Sequence, residues 1–165
     1  MKKIMIISDT HKNQVLLRKA FSMERNVTHI FHLGDDYNDL DTNLDLIADK
    51  DIYKVPGIYH PVYRNGSIEP TLTVTINNWN FLLIHALEDL NKNRNNADVI
   101  LYGHTHHADF RNIEGQYFIN PGHLKAETDR NRKASYLIAE LNDHKLNLCF
   151  KYLDGNIFLE ETIVK

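Results

Sequence analysis

The sequence predicts an α/β protein, and three features of the 165-residue chain support this fold class. Apolar runs along the first two thirds are each followed by a polar loop, and helical patterns separate the first of these runs, as in parallel strands joined by helices. Later segments instead form pairs of strand-like runs around short turns. The composition of 42% hydrophobic and 25% charged residues is ordinary for a protein with a packed core. We expect residues 1–165 to form a single domain.

The N-terminal part predicts strands in alternation with helices. Strands are expected at residues 4–7, 30–33 and 52–55, where short apolar runs precede polar loops. A helix is predicted over residues 15–23, with apolar residues at helical spacing. A second helix is predicted over residues 37–47, because Tyr37, Leu40, Leu44 and Ile47 would share one face.

The rest of the chain predicts hairpins and one further buried strand. Residues 72–76 and 81–84 flank the turn Asn77-Asn78, and residues 110–113 and 116–119 flank Glu114-Gly115. A short buried strand is expected at residues 99–102. The C-terminal third alternates apolar residues from 146 to 152 and ends in a strand near residues 157–164.

Charge and composition exclude several classes of protein. The net charge of −3 argues against a broad basic surface for duplex nucleic acid. The apolar run at residues 4–7 is too short for a signal peptide, and no run approaches the roughly 20 apolar residues of a membrane span. Cys149 is the single cysteine and has no internal disulfide partner. We therefore expect a cytoplasmic protein with no membrane partner, and a homodimer or higher oligomer is compatible with the sequence.

Chemically active side chains follow the predicted strands. The chain has ten histidines, and the residues that come directly after apolar runs are Asp9, His11, Asp35, Asp36, His85, His104, His106 and Asn120. Because the carboxyl ends of parallel strands gather at one edge of a sheet, we expect these loops to converge. Each motif alone has an ordinary explanation, such as a helix cap at Asp9 or a turn at Asn120-Pro121-Gly122. Their joint occurrence favours a metal site, and carboxylates with imidazoles suit manganese, iron, cobalt, nickel or zinc.

The motifs SDTH, HLGDD, IHA, YGHTHH and INPG, in this order, resemble those of the calcineurin-like metallophosphoesterases. They are similar to a small bacterial and archaeal phosphodiesterase branch that also contains the retromer scaffold subunit of eukaryotes. The resemblance runs from Met1 to about Tyr136, since NRKASY also matches the stretch after NPG. It implies a four-layer α-β-β-α sandwich of two mixed sheets flanked by helices. It also implies a metal-dependent phosphoesterase that acts on a small phosphoester, most of all a phosphodiesterase.

The resemblance also implies two divalent cations, with manganese expected. It assigns Asp9, His11, Asp35 and His106 to one cation, and Asp35, His85 and His104 to the other, with Asp35 bridging. Such a pair lowers the pKa of a shared water, so that a metal-bridging hydroxide can attack phosphorus in line. Side-chain alternation in an extended chain predicts that His104 and His106 point the same way and that His107 points elsewhere.

The third motif departs from the family pattern. In VPGIYH, Ile58 stands where an asparagine ligand is expected, and isoleucine cannot coordinate a cation. His60 could replace the missing ligand, the second site could be weak, or the protein could bind metal poorly and act as a scaffold. A decayed enzyme would more often have lost histidines as well, so we favour a weak second site.

Further candidates lie near these motifs. His123 stands where a serine usually follows NPG, Asp36 follows the bridging aspartate, and Arg130, Arg132 and Lys133 form a basic loop. The catalytic candidates are His60, Tyr59 and His123, and the substrate-binding candidates are Asp36, Asn120, Arg130 and Arg132. For each of these residues a loop-stabilising or solvated surface role is the alternative.

Two other functions remain open from the sequence. One is a non-catalytic scaffold or binding protein on the same fold, which the retromer resemblance permits and the retained metal-binding residues oppose. The other, less favoured, is a nuclease, because nucleases of this superfamily generally carry additional DNA-binding regions and this short acidic chain shows none.

Overall fold

The structure is a computed structural model that describes residues 1–90 and 96–165. Strands dominate the described part of the chain. They are β1 (Lys2–Ile7), β2 (His29–His32), β3 (Asp51–Lys54), β4 (Thr71–Ile76), β5 (Trp79–Ile84), β6 (Val99–Leu101), β7 (Asp109–Ile113), β8 (Gln116–Asn120), β9 (Thr128–Asp129), β10 (Arg132–Lys133), β11 (Ser135–Leu141), β12 (Lys145–Tyr152) and β13 (Ile157–Val164). The helices are α1 (Gln14–Ser22), α2 (Leu44–Ile47) and α3 (Pro61–Arg64), with 3₁₀ turns at Asp39–Thr42 and Leu87–Asp89.

The strands form two mixed sheets and a small hairpin. The first sheet has six strands in the order β13-β12-β11-β1-β2-β3, of which β1, β2 and β3 are parallel. The second has five strands in the order β4-β5-β6-β8-β7, of which β5, β6 and β8 are parallel. The third element is the hairpin β9–β10. Two mixed sheets with few helices confirm the predicted fold class.

The main core lies between the two sheets. Strand alternation sends Ile4 and Ile6 of β1 into this core, where they join Phe81 and Leu83 of β5. The intervening Met5 and Ile7 point to the opposite face of the first sheet and pack in a second core with α1. The outer face of the second sheet carries a third apolar cluster that includes Leu82 and Ile84 of β5. This two-sided burial explains why β1 and β5 are continuous apolar runs in the sequence.

The helix predicted over residues 37–47 is wrong. The segment forms the 3₁₀ turn Asp39–Thr42 and then the one-turn helix α2, separated by Asn43. The Asn43 side chain is 3% exposed; its Nδ2 donates to the Asp39 carbonyl at 2.9 Å and its Oδ1 accepts from Arg18. Asparagine side chains compete with helical hydrogen bonds in this way, so the apolar spacing did not produce one helix. As a result Leu44 is 66% exposed rather than buried.

Other predicted elements agree with the structure within a few residues. Both predicted hairpins form, with Asn77 at φ 52° and Glu114-Gly115 at φ 52° and 85° in their turns. Helix α1 ends at Ser22, one residue before its predicted end. No helix in the described ranges is both long and apolar enough to cross a membrane.

Loops from both sheets meet at one end of the molecule, where His104 N of the loop after β6 donates to Asp9 Oδ2 of the loop after β1 at 2.9 Å. Backbone hydrogen bonds join the loop after β1 to the loop after β2, at 2.9 Å from Asp9 N to Gly34 O. A second bond of 2.9 Å, from Gly103 N to His85 O, joins the loops after β5 and β6. The sequence predicted one sheet edge, whereas the converging strand ends come from two sheets.

Candidate metal centre

Four side chains from three loops converge at this end of the sheets. Asp9, His11, Asp35 and His106 each offer one ligand atom, and these atoms all lie within 4.8 Å of one another. His11 Nε2 lies 2.6 Å from Asp35 Oδ2 and 3.1 Å from His106 Nε2, which in turn lies 3.3 Å from Asp9 Oδ1. Two carboxylates and two imidazoles at such distances form a candidate metal site.

A second group of imidazoles adjoins the first through Asp35. His85 Nε2 lies 3.4 Å from Asp35 Oδ1 and 4.0 Å from Asp9 Oδ1. The ring of His104 packs edge-on against the ring of His85, with centroids 5.3 Å apart. Asp35 therefore presents one carboxylate oxygen to His11 and the other to His85.

Two buried polar atoms at the centre of the cluster make no hydrogen bond. They are Asp9 Oδ1 and His85 Nε2, both in side chains that are 0% exposed. The other polar atom of each side chain is engaged: Asp9 Oδ2 accepts from Ser8 Oγ at 2.6 Å, and His85 Nδ1 bonds the Leu33 carbonyl at 2.6 Å. Nδ1 of His85 must carry a proton in that bond, so Nε2 is the acceptor nitrogen in the neutral imidazole. Buried acceptors without a donor are costly, and a divalent cation would satisfy both.

The charges of the cluster favour the ionised form of the Asp35 carboxylate. Burial opposes ionisation of Asp35, but the hydrogen bond from His11 and the nearby imidazoles together lower its pKa below the ordinary value. The pKa of His106 is raised, mainly by Asp9 and against the effect of burial, with a further contribution from Asp129. Negative carboxylates facing imidazoles suit a site that exchanges protons for cations.

The loops reach this arrangement through unusual backbone conformations. Five residues of the SDTHK and GHTH loops have positive φ angles, namely Asp9, His11, Lys12, His104 and His106. Non-glycine residues in this region cost about 1–2 kcal/mol each, and such strain clusters at functional sites. The extended alternation predicted for His104 and His106 is therefore wrong, since the backbone of both residues adopts the left-handed conformation. The buried His106 nevertheless joins the cluster, and His107 is exposed.

Comparison with known proteins identifies the family. Residues 1–144 match the model of the calcineurin-like phosphoesterase superfamily domain. The chain belongs to this superfamily. Membership implies a hydrolase of phosphate esters that uses divalent metal ions, which agrees with the donor set described above.

Similar proteins include a phosphodiesterase and two solved structures of the same fold. Phosphodiesterase MJ0936 of Methanocaldococcus jannaschii is 27% identical over 139 residues, spanning 73% of this chain and 82% of the relative. Vps29 of Chaetomium thermophilum aligns with a TM-score of 0.76 at 17% identity, over 100% of this chain and 96% of that one. A conserved protein of Streptococcus pneumoniae TIGR4, a predicted phosphoesterase, aligns with a TM-score of 0.73 at 19% identity, over 99% and 98%. These two structural likenesses show the shared fold.

The third motif, VPGIYH, lies beside a cleft that opens above the cluster. The cleft has a volume of about 600 Å³ and is lined by His11, Lys12, Asp35, Asp36, Asn38, Tyr59, His60 and Pro61. Tyr59 is 66% exposed. His60 Nδ1 accepts from Val62 N at 3.3 Å, which caps α3, and its Nε2 lies 4.0 Å from Asp36 Oδ1. His60 thus faces Asp36 and the cleft rather than joining the four-residue group.

Asn120 and His123 are fully buried behind the histidine loop. Asn120 Nδ2 donates to the Gly103 carbonyl at 2.8 Å, and its Oδ1 accepts from Gly122 N at 2.9 Å. His123 Nε2 bonds the Arg132 carbonyl at 3.2 Å, and its ring centroid lies 5.4 Å from that of His106. Burial lowers the pKa of His123. Both side chains support the loop that carries His106, and neither reaches the cleft.

The basic loop predicted to bind substrate lies outside the cleft. Arg130 is largely exposed, with its Nε 3.7 Å from Asp129 Oδ2. Arg132 lies within 3.4 Å of the Thr105 carbonyl and lines a separate cavity beside His107. The cleft contains a different cation, Lys12, which directly follows SDTH and could have been found from that position.

Asp129 is a further residue that sequence reasoning missed. Its Oδ2 accepts a hydrogen bond from His106 Nδ1 at 2.7 Å. This bond has the largest effect on the pKa of Asp129, and together with a hydrogen bond from Lys125 it lowers that pKa to about 2. Asp129 lies in the two-residue strand β9, which is too short to show any periodicity.

Proposed function

We propose that this protein is a metal-dependent phosphodiesterase with a binuclear centre. The observation that carries the proposal is the convergence of Asp9, His11, Asp35 and His106 within 4.8 Å, with unpartnered buried acceptors on Asp9 and His85. The phosphodiesterase relative and the family support the class of reaction. Divalent cations held there would supply a water of lowered pKa and neutralise the phosphate oxygens.

The ligands divide into two groups that share Asp35. Asp9, His11, Asp35 and His106 would hold one cation, and Asp35, His85 and His104 would hold the other. Asp35 Oδ2 at 2.6 Å from His11 and Oδ1 at 3.4 Å from His85 support this bridging role. Manganese is our preferred cation for a mixed oxygen and nitrogen set, with iron, nickel, cobalt and zinc as alternatives.

The second cation would be bound more weakly than the first. Ile58 offers no ligand atom, and His60 is held at the N-terminus of α3, with its Nδ1 accepting from Val62 N at 3.3 Å. These contacts favour a weak second site over a site completed by His60. Substrate phosphate would then help to hold the second cation.

The cleft walls would bind and orient the phosphoester. Lys12 lines the same cleft as His11 and Asp35, and its ammonium group can bind a phosphate oxygen. The exposed Tyr59 hydroxyl can donate a hydrogen bond to the leaving group. His60 faces the same cleft, and an imidazole can pass a proton to a leaving alcohol. The cleft volume of about 600 Å³ leaves room for a small ester.

Hydrolysis of bis(p-nitrophenyl) phosphate tests the proposal. Metal-stripped protein reconstituted with Mn²⁺ should hydrolyse this diester, and Asp35→Ala should abolish the activity. Asp143→Ala, in the exposed turn between β11 and β12, removes a carboxylate far from the cluster and should leave the activity unchanged. No hydrolysis with Mn²⁺, Ni²⁺, Co²⁺, Fe²⁺ or Zn²⁺, together with no bound metal by elemental analysis, would refute the proposal.

A non-catalytic scaffold is the second candidate function. Ile58 in place of a ligand favours it, as does the fold shared with Vps29. The two functions differ in how metal binding affects activity. A scaffold would show no hydrolysis at any metal concentration, whereas a phosphodiesterase with a weak second site should gain activity as Mn²⁺ rises well above the concentration that fills the first site.

The cellular setting is also part of the proposal. We place the protein in the cytoplasm, because its one cysteine, Cys149, is free, and disulfides are typical of oxidising compartments.

A further inference from the structure

We propose that Asp129 is a positioning residue that holds the His106 imidazole with its Nε2 facing the candidate metal centre. The inference rests on the proposed function, because it concerns a ligand of that centre. Asp129 is not among the cluster residues and does not line the cleft. Its role would be exerted through His106.

The contact between the two side chains determines the His106 tautomer. Asp129 Oδ2 lies 2.7 Å from His106 Nδ1, and a carboxylate can only accept a hydrogen bond. Nδ1 must therefore carry a proton, and in the neutral imidazole Nε2 is left as an acceptor. That Nε2 is the atom 3.1 Å from His11 Nε2 and 3.3 Å from Asp9 Oδ1. The bond thus directs the free lone pair of His106 towards the cluster.

The hairpin β9–β10 places the carboxylate at this position. Asp129 pairs with Arg132 across the hairpin, and Arg130 and Asn131 form its tight turn with φ angles of 50° and 61°. Lys125 Nζ lies 3.1 Å from Asp129 Oδ1 and holds the second oxygen. With both oxygens engaged, the Asp129 side chain has little freedom to turn away from His106.

Asp129 is the polar partner on the Nδ1 side of His106, opposite the Nε2 contacts with His11 and Asp9. The His106 side chain is 4% exposed, so water cannot easily replace the carboxylate. Its other ring neighbours are His11, at a centroid distance of 5.0 Å, and His123, at 5.4 Å. These rings limit rotation of the imidazole but do not fix which nitrogen carries the proton. The hairpin that turns at Arg130 therefore also supports a residue proposed as a metal ligand.

Calorimetric titration of metal-stripped protein with Mn²⁺ tests the inference without relying on activity. Asp129→Ala should weaken binding about 10- to 100-fold, as loss of a carboxylate behind a ligating histidine typically does. Asp129→Asn keeps an acceptor oxygen without the charge and should give an intermediate loss. Glu127→Gln removes an exposed carboxylate two residues away and should bind Mn²⁺ as the native protein does.

The second readout is the His106 tautomer in the metal-free protein. Nitrogen-15 NMR at alkaline pH, where the imidazole is neutral, should show a protonated Nδ1 in the native chain and a mixture of tautomers in Asp129→Ala. Equal Mn²⁺ affinity in Asp129→Ala and Glu127→Gln, or an unchanged tautomer, would overturn the inference.

Thermal melting of each variant separates a positioning role from loss of the fold. If Asp129→Ala unfolds, Asp129→Asn carries both measurements. If the native protein binds no metal at all, the proposed function fails, and the tautomer measurement still decides whether Asp129 controls His106.

Discussion

Replacing Gly57 by alanine should weaken both stability and cation binding, because Gly57 lies directly against Asp35. An added Cβ would lie 2.6 Å from Asp35 Cα and 2.6 Å from its Oδ1, whereas ordinary van der Waals contact begins at 3.4 Å. The first of these atoms is backbone and cannot rotate away. The loop after β2 or the loop after β3 must therefore shift, and Asp35 Oδ1 would move relative to His85 Nε2, now 3.4 Å away.

The size of the effect follows from this overlap. Inserting a methyl group into a packed site costs about 1–3 kcal/mol of unfolding free energy. For a chain of this length each kcal/mol lowers the melting temperature by roughly 2–4 °C. We expect Mn²⁺ affinity to fall at least about tenfold, comparable to the loss when a contact that orients a ligand is removed.

Calorimetric Mn²⁺ titration and thermal melting of the same samples would measure both effects. Gly66→Ala is the matched control, because Gly66 has φ 68° and an added Cβ there meets nothing within 4 Å. It should lose about 1–2 kcal/mol through backbone strain while binding Mn²⁺ normally. If Gly57→Ala binds Mn²⁺ as tightly as Gly66→Ala, the proposed role of Asp35 as a cation ligand is refuted.

Three further substitutions test other parts of the molecule. Ile58→Asn should tighten the second cation site by adding an amide oxygen; an unchanged second step in the Mn²⁺ titration would show that another group already completes the site. Glu24→Gln should cost about 2 kcal/mol in urea denaturation at neutral pH, because the buried carboxylate accepts from Lys151 at 2.6 Å. Burial opposes ionisation of Glu24, yet its lysine and tyrosine partners lower its pKa. The stabilisation by this carboxylate is therefore lost as pH falls below the ordinary glutamate range. The free energy of unfolding of Glu24→Gln should accordingly change less with pH in the acid range than that of the native protein. Asn120→Ala should lower both the melting temperature and Mn²⁺ affinity, since it frees the Gly103 carbonyl; an altered melting temperature with normal Mn²⁺ binding would contradict a role in holding the histidine loop.

Local pattern was sufficient for most strands but not for the second helix. Strand residues with continuous apolar character, such as those of β1 and β5, are buried on both faces, and this two-sided burial is visible in the sequence. The segment from Tyr37 to Ile47 has equally good helical spacing. The segment does not form one helix, because the Asn43 side chain hydrogen-bonds the Asp39 carbonyl and Arg18 of α1. Arg18 is distant in the chain, so its contact with Asn43 leaves no periodic pattern in the sequence.

The sequence by itself determined the α/β class and the strand-end positions of Asp9, Asp35, His85 and His106, because burial and residue chemistry are properties of short segments. The tertiary structure alone decided that His60 faces Asp36, that Asn120 is buried behind the histidine loop, and that Asp129 bonds His106. Each of these contacts joins loops that are far apart in the chain or from different sheets. Their distances depend on how the two sheets pack, and that packing is set by the shared core between them.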